Sequence, residues 1–368
     1  MKIVTIVGAR PQFIKAATVS REIQLRSDIE EILIHTGQHY DRNLSEIFFQ
    51  ELDLYPPHYH LGIGSGSHGQ QTGKMLEAIE SVLIQEKPDW VLVYGDTNST
   101  LAGALASSKL QIPVAHVEAG LRSFNWQMPE EINRILTDRI SSLLFAPTTI
   151  AVDHLRQEGR SLEQIFQVGD VMYDALLFYQ KKAQQQSTIL ESLNLKSKSY
   201  ILSTIHRAEN TDSWIRLTNI LNALQQVSKT IPVVLPLHPR TQKIIKNQNL
   251  STCSDSFHLI DPIGYLDMIM LEHHACLICT DSGGVQKEAF FHQVPCVTLR
   301  DETEWQELID LGWNQLISPN ATPNVIVEKI LSQVNHQGDS EAFPYGKGRS
   351  AETIVNILVK PLMNKNRV

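Results

Sequence analysis

The 368-residue chain has no long apolar run, no cluster of basic residues and few cysteines. No stretch approaches the ~18 consecutive apolar residues of a transmembrane helix, so insertion into a membrane is not expected. The apolar amino terminus ends at Gly8, too early for a signal peptide, and is typical of a first buried strand; we therefore expect a cytoplasmic protein. The formal net charge is −8, without a basic face that could displace counterions, so nucleic acid is not an expected partner.

The four cysteines do not form a metal-binding pattern. Cys276 and Cys279 have CxxC spacing, but they lie in an apolar run that is typical of a buried strand. No second CxxC and no pair of histidines follows at the spacing of a zinc site. We interpret both residues as small buried hydrophobic side chains and expect no metal.

Strand-like and helix-like segments alternate along the chain. Short β-rich runs such as KIVTIV, EILIHT and WVLVY are separated by helical patterns, for example residues 70–85, whose apolar positions form one stripe. This alternation predicts βαβ units and an α/β fold with parallel, doubly wound sheets. The polar stretch Lys181–Ser199 interrupts the pattern, which then restarts, so we interpret it as a helix end followed by an interdomain linker.

The chain is longer than one hydrophobic core usually serves, so two Rossmann-like domains are predicted, over residues 1–175 and 176–349. Residues 350–368 begin with a helical pattern and are expected to complete the first domain. Ligands of open α/β sheets bind at the carboxyl ends of the strands, and two such domains predict an interdomain cleft there. Polar loops that follow strands are therefore the candidate functional segments.

Three loops of the first domain carry charged residues directly after a strand. Arg10 and Lys15 flank a helix start after the first strand and suit a phosphate or carboxylate, with ordinary surface charge as the alternative. Asp96 follows another strand and can cap the next helix, face a ligand or do both. Glu118 ends a third strand and shares one face of it with His116, because side chains alternate with a period of two.

The helix that opens at Pro129 contributes a further candidate pair. Glu130 and Arg134 lie one turn apart, a spacing that allows an ion pair. Such a pair would keep the acid ionised and fixed in direction. Alone it is commonplace, and it gains weight from the acidic loops that precede it.

The strongest local signal in the second domain is Thr280–Glu288, where a buried strand runs into Ser-Gly-Gly and then a helix. Glycines let backbone N–H groups approach an anion, and a helix amino terminus favours negative charge, so Ser282, Gly283 and Gly284 are predicted to bind phosphate. Glu288, one turn further on, is within reach of both hydroxyl groups of a ribose. The alternative is a helix that Ser282 simply caps.

The loop His206–Asn210 also follows a strand and is poor core material. His206 can donate to a diphosphate or act as a general acid near neutral pH. His238 ends the next strand, where a structural and a functional role are equally compatible. By contrast, Gly64–Gly69 spells GxGxxG but follows no convincing first strand, so we interpret it as a loop and do not expect a nicotinamide cofactor.

Seven ordered motifs, GARPQFIK, TGQHYD, YGDTNST, HVEAGLRS, PEEINR, HRAEN and TDSGGVQKEA, closely resemble the non-hydrolysing UDP-N-acetylglucosamine 2-epimerases over nearly the whole chain. The resemblance implies two Rossmann-like domains of the GT-B type, as in UDP-glycosyltransferases and glycogen phosphorylase. It also implies a homodimer that serves cell-envelope polysaccharide synthesis, such as that of O antigen, without a cofactor. The implied reaction interconverts UDP-N-acetylglucosamine and UDP-N-acetylmannosamine at C2 by elimination and re-addition of UDP.

The same resemblance implies roles for individual residues. Asp96, Glu118 and Glu130 are the implied acid–base candidates, with Arg134 orienting Glu130. The residues implied to contact the diphosphate, the sugar or the ribose are Arg10, Lys15, His206, Arg207, Ser282, Gly283, Gly284 and Glu288. Lys15 and His206 are also counted with the catalytic group.

The chain departs from the family pattern at three places. It reads Glu-Trp-Gln-Glu over residues 304–307, so an arginine that touches UDP in many members is replaced by Trp305, with Arg300 nearby. Glu46 and Gln70 replace residues of members that a second substrate molecule regulates, so such regulation is not expected. These features resemble the branch that acts on UDP-2,3-diacetamido-2,3-dideoxy-glucuronate, which is the alternative substrate. The sequence is also compatible with a glycosyltransferase of the same architecture, a hydrolysing epimerase or a nucleotide-sugar sensor.

Overall fold

The computed structural model describes residues 1–38, 51–237, 241–242, 244–245 and 256–360, apart from the side chain of Arg10. The chain forms two compact units. The first joins Met1–Leu177 with Phe343–Val368, and the second is Phe178–Ala342. Each unit contains its own parallel β-sheet with helices packed against it.

Within the described part of the first unit, seven parallel strands lie in the spatial order β3-β2-β1-β4-β5-β6-β7. They are β1 (Lys2–Val7), β2 (Glu30–His35), β3 (Tyr59–His60), β4 (Trp90–Tyr94), β5 (Val114–Val117), β6 (Leu143–Ala146) and β7 (Ile165–Gln167). The order reverses between β1 and β4, and ligands of doubly wound sheets bind beside the strand ends at such a reversal.

In the second unit, the described residues form six parallel strands in the spatial order β10-β9-β8-β11-β12-β13. They are β8 (Ile201–Thr204), β9 (Val233–Pro236), β10 (Phe257–Ile260), β11 (Leu277–Thr280), β12 (Cys296–Thr298) and β13 (Asn314–Leu316). This is the same winding as in the first sheet, with the reversal between β8 and β11. The prediction of an α/β fold with two doubly wound, Rossmann-like sheets is therefore confirmed.

The helices connect successive strands, as parallel pairing requires. In chain order they are α1 (Arg10–Gln24), α2 (His68–Glu86), α3 (Asn98–Lys109), α4 (Pro129–Ile140), α5 (Thr149–Gln157), α6 (Val171–Gln186), α7 (Ile189–Ser192), α8 (Ala208–Thr211), α9 (Trp214–Val227), α10 (Tyr265–His274), α11 (Gly283–Phe291), α12 (Gln306–Asp310), α13 (Pro323–Gln333) and α14 (Ser350–Leu358). A 3-10 turn over Leu162–Gln164 precedes β7. No helix in these described ranges combines the length and apolar character needed to cross a membrane.

The second sheet is apolar on both faces. Ile201 and Leu202 are neighbours in β8, yet they belong to two different hydrophobic clusters, because successive side chains of a strand point to opposite faces. Cys276 and Cys279 are free and buried, and both lie in one of these clusters. Their interpretation as small buried hydrophobic residues is confirmed.

The amphipathic helix expected over residues 70–85 is present as α2. Its buried positions include Met75, Ile79, Val82 and Leu83, which pack in the core cluster of the first sheet. A stripe with helical spacing therefore predicted correctly which side chains face the sheet.

The interdomain linker expected at Lys181–Ser199 is not formed. The boundary between the two units falls inside α6, and α6 continues to Gln186. Ile189, Leu190 and Leu193 of the following segment pack against the core of the second unit. The linker interpretation is wrong because these few apolar residues suffice to anchor a mostly polar segment.

The last described helix, α14, belongs to the first unit and lies against α1. Arg26, which follows α1, donates to the Asn356 side chain over 3.3 Å. Asp174 of α6 accepts the Ala351 backbone N–H at 2.8 Å and so satisfies one donor in the first turn of α14.

Candidate active site

The loop after β1 is held by a buried glutamine. The Gln12 side-chain oxygen accepts the backbone N–H groups of Gly8 at 2.8 Å and Ala9 at 3.0 Å, and its amide donates to the Tyr94 carbonyl at 2.8 Å. A Cβ on Gly8 would come within 2.1 Å of the Ser99 hydroxyl, so only glycine fits this close approach. The loop after β1 is thereby joined to the loop after β4, across the reversal in strand order. Arg10 opens α1 here, but its side chain lies outside the described part of the structure.

Lys15 and Glu118 form a hydrogen-bonded ion pair beside Gly95. The Lys15 ammonium donates to the Glu118 carboxylate, and the two side chains are only 10% and 9% exposed. Glu118 turns away from β5 with φ +72°, a left-handed conformation that is costly for a residue other than glycine. A strained acid that is paired with a buried lysine at a strand end is typical of a functional position.

Asp96 does not cap α3. Thr97 is the capping residue, because its hydroxyl accepts the Thr100 backbone N–H. The Asp96 carboxylate instead receives the Arg134 guanidinium and stays 31% exposed. The structure therefore excludes the capping role of Asp96 and shows its carboxylate paired with Arg134 at the strand end.

The expected partner of Arg134 differs from the observed one. Arg134 donates to Glu131 at 3.0 Å, three residues earlier, and to Asp96, rather than to Glu130. Both Arg134 and Glu131 face the buried side of α4, whereas Glu130 is half-buried. Arg134 therefore positions Asp96, and the predicted orientation of Glu130 by Arg134 is wrong.

Glu131 was not among the sequence candidates. It is fully buried and accepts the backbone N–H groups of Ser123 at 2.9 Å and Phe124 at 3.0 Å. It thus orders the loop between β5 and α4 as well as Arg134. Glu130, the predicted partner of Arg134, and Glu131 are adjacent acids at a helix start, and burial separates their roles.

The segment Gly64–Gly69, whose GxGxxG spelling was not interpreted as a cofactor motif, contacts the start of α3. Gln71, just after it, donates to the Gly64 carbonyl at 2.7 Å and accepts from Asn98 at 2.9 Å. Asn133 of α4 donates to the Asp96 backbone carbonyl at 2.9 Å. Side-chain amides from three elements therefore surround the Asp96 turn.

In the second unit, Asp281 organises the loop that begins at His206. Asp281 is fully buried and accepts the backbone N–H groups of His206 at 3.1 Å and Arg207 at 3.1 Å, and also the Asn210 amide at 3.1 Å. The His206 ring lies 3.3 Å from the same carboxylate and is 41% exposed. The loops after β8 and β11 are therefore tied together at the strand reversal of this unit.

The start of helix α11 is compatible both with a Ser282 cap and with a phosphate site. The Ser282 hydroxyl accepts the Val285 N–H at 3.5 Å and caps the helix, so the structural alternative is realised. Gly283 is restricted by its surroundings, because a Cβ there would lie 2.5 Å from a Glu304 oxygen. Gly284 is open, with the Ser282 hydroxyl as its nearest neighbour at 3.9 Å. An open glycine backbone at a helix amino terminus remains suited to an anion.

Glu288 lies one turn into α11, where it is buried beside Glu272. Burial raises the pKa of Glu272 well above its ordinary value, and the neighbouring charge and hydrogen bond of Glu288 raise it further. The charged form of Glu272 is therefore disfavoured beside Glu288.

Arg300 lies five residues before Trp305, the position at which many family members carry an arginine. Its guanidinium is buried and donates to Glu304 at 2.9 Å. Within the described part of the chain, its Nε and second terminal nitrogen have no hydrogen-bond partner. Trp305, which replaces the family arginine, instead packs under the Lys287 ammonium, 4.2 Å from the ring centre.

The structure does not describe the side chains of some residues that the sequence singled out. His238 and Glu46 lie outside the described residues. Among the residues that are described, no three histidine, cysteine, aspartate or glutamate side chains gather as metal ligands.

Comparison with known proteins supports the same family over most of the chain. The family model described as UDP-N-acetylglucosamine 2-epimerase matches residues 21–359. A UDP-N-acetylglucosamine 2-epimerase homolog of Methanococcus maripaludis is 55% identical over 365 residues, 97% of this chain and 99% of that protein. The UDP-2,3-diacetamido-2,3-dideoxy-D-glucuronate 2-epimerase of Pseudomonas aeruginosa is 52% identical over 364 residues, 98% of this chain and 100% of that protein.

A solved structure extends this similarity to three dimensions. The crystal structure of the Methanocaldococcus jannaschii UDP-GlcNAc 2-epimerase in complex with UDP-GlcNAc and UDP has a TM-score of 0.91 at 47% identity, covering 97% of this chain and 99% of that chain. Similarity to these epimerases accounts for the ordered motifs, for the two doubly wound sheets and for the acidic residues at the strand ends. The chain belongs to the UDP-N-acetylglucosamine 2-epimerase family.

Proposed function

We propose that the protein is an isomerase that inverts C2 of a UDP-2-acetamido sugar, by reversible elimination and re-addition of UDP. The observation that carries the proposal is the cluster at the carboxyl ends of β1, β4 and β5. There the Lys15–Glu118 pair and the Asp96–Arg134 pair flank one glycine turn. Removing a carbon-bound proton from one face of C2 and returning a proton to the other face requires positioned acid and base groups.

The proposed reaction has two halves. A carboxylate removes the C2 proton while the bond from C1 to the diphosphate oxygen breaks, and UDP leaves with the electron pair to give a 2-acetamidoglucal. A proton then adds to the opposite face of C2, and the UDP oxygen attacks C1. We propose Asp96, Glu118 and Glu130 for the proton transfers, with Lys15 beside Glu118 and with His206 as a further acid.

The second unit contains the proposed binding site for UDP. Ser282, Gly283 and Gly284 at the start of α11 are proposed to bind phosphate oxygens, and Glu288 the ribose hydroxyl groups. The contacts proposed for the diphosphate and sugar are Arg10, Lys15, His206 and Arg207. Arg300 is a supporting candidate, because two of its guanidinium nitrogens have no hydrogen-bond partner among the described residues and suit a phosphate.

The proposed substrate is UDP-N-acetylglucosamine, for cell-envelope polysaccharide synthesis. The alternative is UDP-2,3-diacetamido-2,3-dideoxy-glucuronate, the sugar named for the Pseudomonas aeruginosa relative, which is 52% identical. The reaction at C2 is the same for both sugars. They differ at C3 and C6, so contacts away from the reacting atoms must choose between them.

Deuterium exchange at C2 tests the reaction and the substrate together. The protein is incubated in D2O with each UDP-sugar separately, and the C2 hydrogen is followed by proton NMR against a protein-free control. The expected result is deuterium at C2 in both epimers of one sugar, with no free sugar released. Free N-acetylmannosamine with UDP would instead identify a hydrolysing enzyme, and protium retained at C2 of both sugars would overturn the epimerase proposal.

We also propose a cytoplasmic homodimer. Apolar side chains on and before α4 are exposed, among them Phe124 at 69%, Trp126 at 67% and Leu136 at 46%, and such groups are often covered at subunit interfaces. The buried free thiols of the second unit suit a reducing compartment. Light scattering at micromolar concentration is expected to give twice the mass of the chain, and the mass of a single chain would contradict the dimer.

A further inference from the structure

A buried histidine joins the acidic cluster to the interior of the first unit. His116 lies in β5 and is fully buried. Its Nδ1 is 2.7 Å from a carboxylate oxygen of Asp138, and its Nε2 is 2.7 Å from the carbonyl oxygen of Gly95. Both partners are oxygen acceptors, so a ring that bonds to both donates from each nitrogen.

Asp138 holds further groups beside His116. It also accepts the Arg122 guanidinium at 2.8 Å and the Gly120 backbone N–H at 3.0 Å. Arg122 in turn makes a bidentate pair with Glu158 at 2.6 and 2.7 Å. The Asp138 carboxylate is therefore fixed on several sides, which fixes the acceptor of the His116 ring.

The electrostatic environment of Asp138 favours its carboxylate form. Burial alone would raise the pKa of Asp138, but the charges of His116 and Arg122 and their hydrogen bonds outweigh burial and lower that pKa below its ordinary value. A carboxylate at this position can accept from the His116 ring.

The other end of His116 controls the turn that presents Asp96. Gly95 has φ +61°, and its backbone N–H donates to the Val117 carbonyl at 3.0 Å. A Cβ on Gly95 would lie 3.2 Å from a Glu118 oxygen and 3.3 Å from the Lys15 ammonium, so the turn runs close to both members of that pair and leaves little room for a side chain. A bond to its carbonyl fixes where Asp96 starts relative to Glu118.

We propose that His116 is a positioning residue for the reaction: its ring, anchored by Asp138, donates to the Gly95 carbonyl and keeps Asp96 and the Lys15–Glu118 pair in one fixed arrangement. This inference rests on the proposed function. His116 itself touches no reacting atom; it acts through the Gly95 peptide. The relative placement of the acid and base groups then depends on a group that the substrate never contacts.

Steady-state kinetics of His116→Gln test the positioning role. The amide can donate to Gly95 or to Asp138 but cannot hold both, so kcat is expected to fall by up to about 10²-fold through misplacement of the reacting groups. KM is expected to stay within about threefold, because the phosphate and ribose contacts proposed at α11 do not depend on this turn. The matched control is His58→Gln, since His58 accepts the Leu33 N–H of β2, away from the Gly95 turn. A folded His116→Gln enzyme with kcat within about twofold of the wild type would overturn the proposal.

Neutron diffraction from the wild-type protein at neutral pH gives a second readout that needs neither a variant nor turnover. The expected result is a hydrogen or deuterium on each ring nitrogen of His116. A ring nitrogen without one would mean that the ring does not donate to both Asp138 and Gly95, and this would overturn the inference, whatever the enzyme does. Absence of C2 exchange in the wild type would count against the proposed function alone, because the ring protons report only on this network.

Discussion

Glu118→Gln is expected to lose exchange of the C2 hydrogen by about 10³-fold while the variant still binds UDP. The amide has nearly the same shape as the carboxylate, but it cannot take up a proton. It also leaves the Lys15 ammonium without its negative partner in a place where the two side chains are only 10% and 9% exposed. The chemical step and the local charge balance are therefore both disturbed, and the fold around Gly95 keeps its volume.

The measurement separates chemistry from binding. C2 exchange is followed in D2O by NMR, and UDP affinity is measured by isothermal titration calorimetry, for which we expect a change within about threefold. Glu86→Gln is the matched control, since Glu86 pairs with Lys2 and Tyr59 at the amino ends of the strands, away from the cluster. Exchange at close to the wild-type rate in Glu118→Gln would remove Glu118 from the proton transfers.

The order of strands and loops was predictable because it depends on local patterns. Alternating apolar runs and helical stripes predicted two parallel sheets. The rule that ligands bind at strand ends then predicted Lys15, Asp96 and Glu118 as residues of the site. In the structure these residues do lie together in the first unit. The motif order then predicted the family, which the comparisons confirm.

Pairings between side chains were less predictable, because several partners have acceptable spacing. Arg134 had two glutamates within one turn, and the choice of Glu131 follows from which side of α4 is buried. Asp281 reads as one more polar residue after a strand, and only its contacts with the loop at His206 reveal its role. The linker failed for a related reason, since Ile189 and Leu190 became core residues through contacts that are distant in sequence.

The second large effect concerns stability, and it arises from Asp138. Asp138→Asn is expected to lower the free energy of unfolding at neutral pH by about 3–5 kcal/mol, because it removes one carboxylate from a buried network and leaves Arg122 and His116 facing an amide. The His116 ring, which donates to the Gly95 carbonyl, also loses its carboxylate acceptor. The substitution is therefore expected to weaken the support of the turn at Asp96 as well as the core.

The pH dependence of this effect follows from the direction of the shift. The pKa of Asp138 in the folded protein lies below the ordinary value of 3.8. The unfolded chain therefore binds the proton first as pH falls. The stabilising contribution is fully present above about pH 3.8 and is lost as pH falls through the lower folded pKa.

Urea denaturation of the wild type and Asp138→Asn should show the largest difference in the free energy of unfolding at neutral pH and a smaller difference in strong acid. The exposed Asp153→Asn, which removes only a surface pair with Arg156, should stay within about 0.5 kcal/mol of the wild type throughout. An Asp138→Asn protein as stable as that control, or a difference that grows in acid, would show that the carboxylate does not hold this network together.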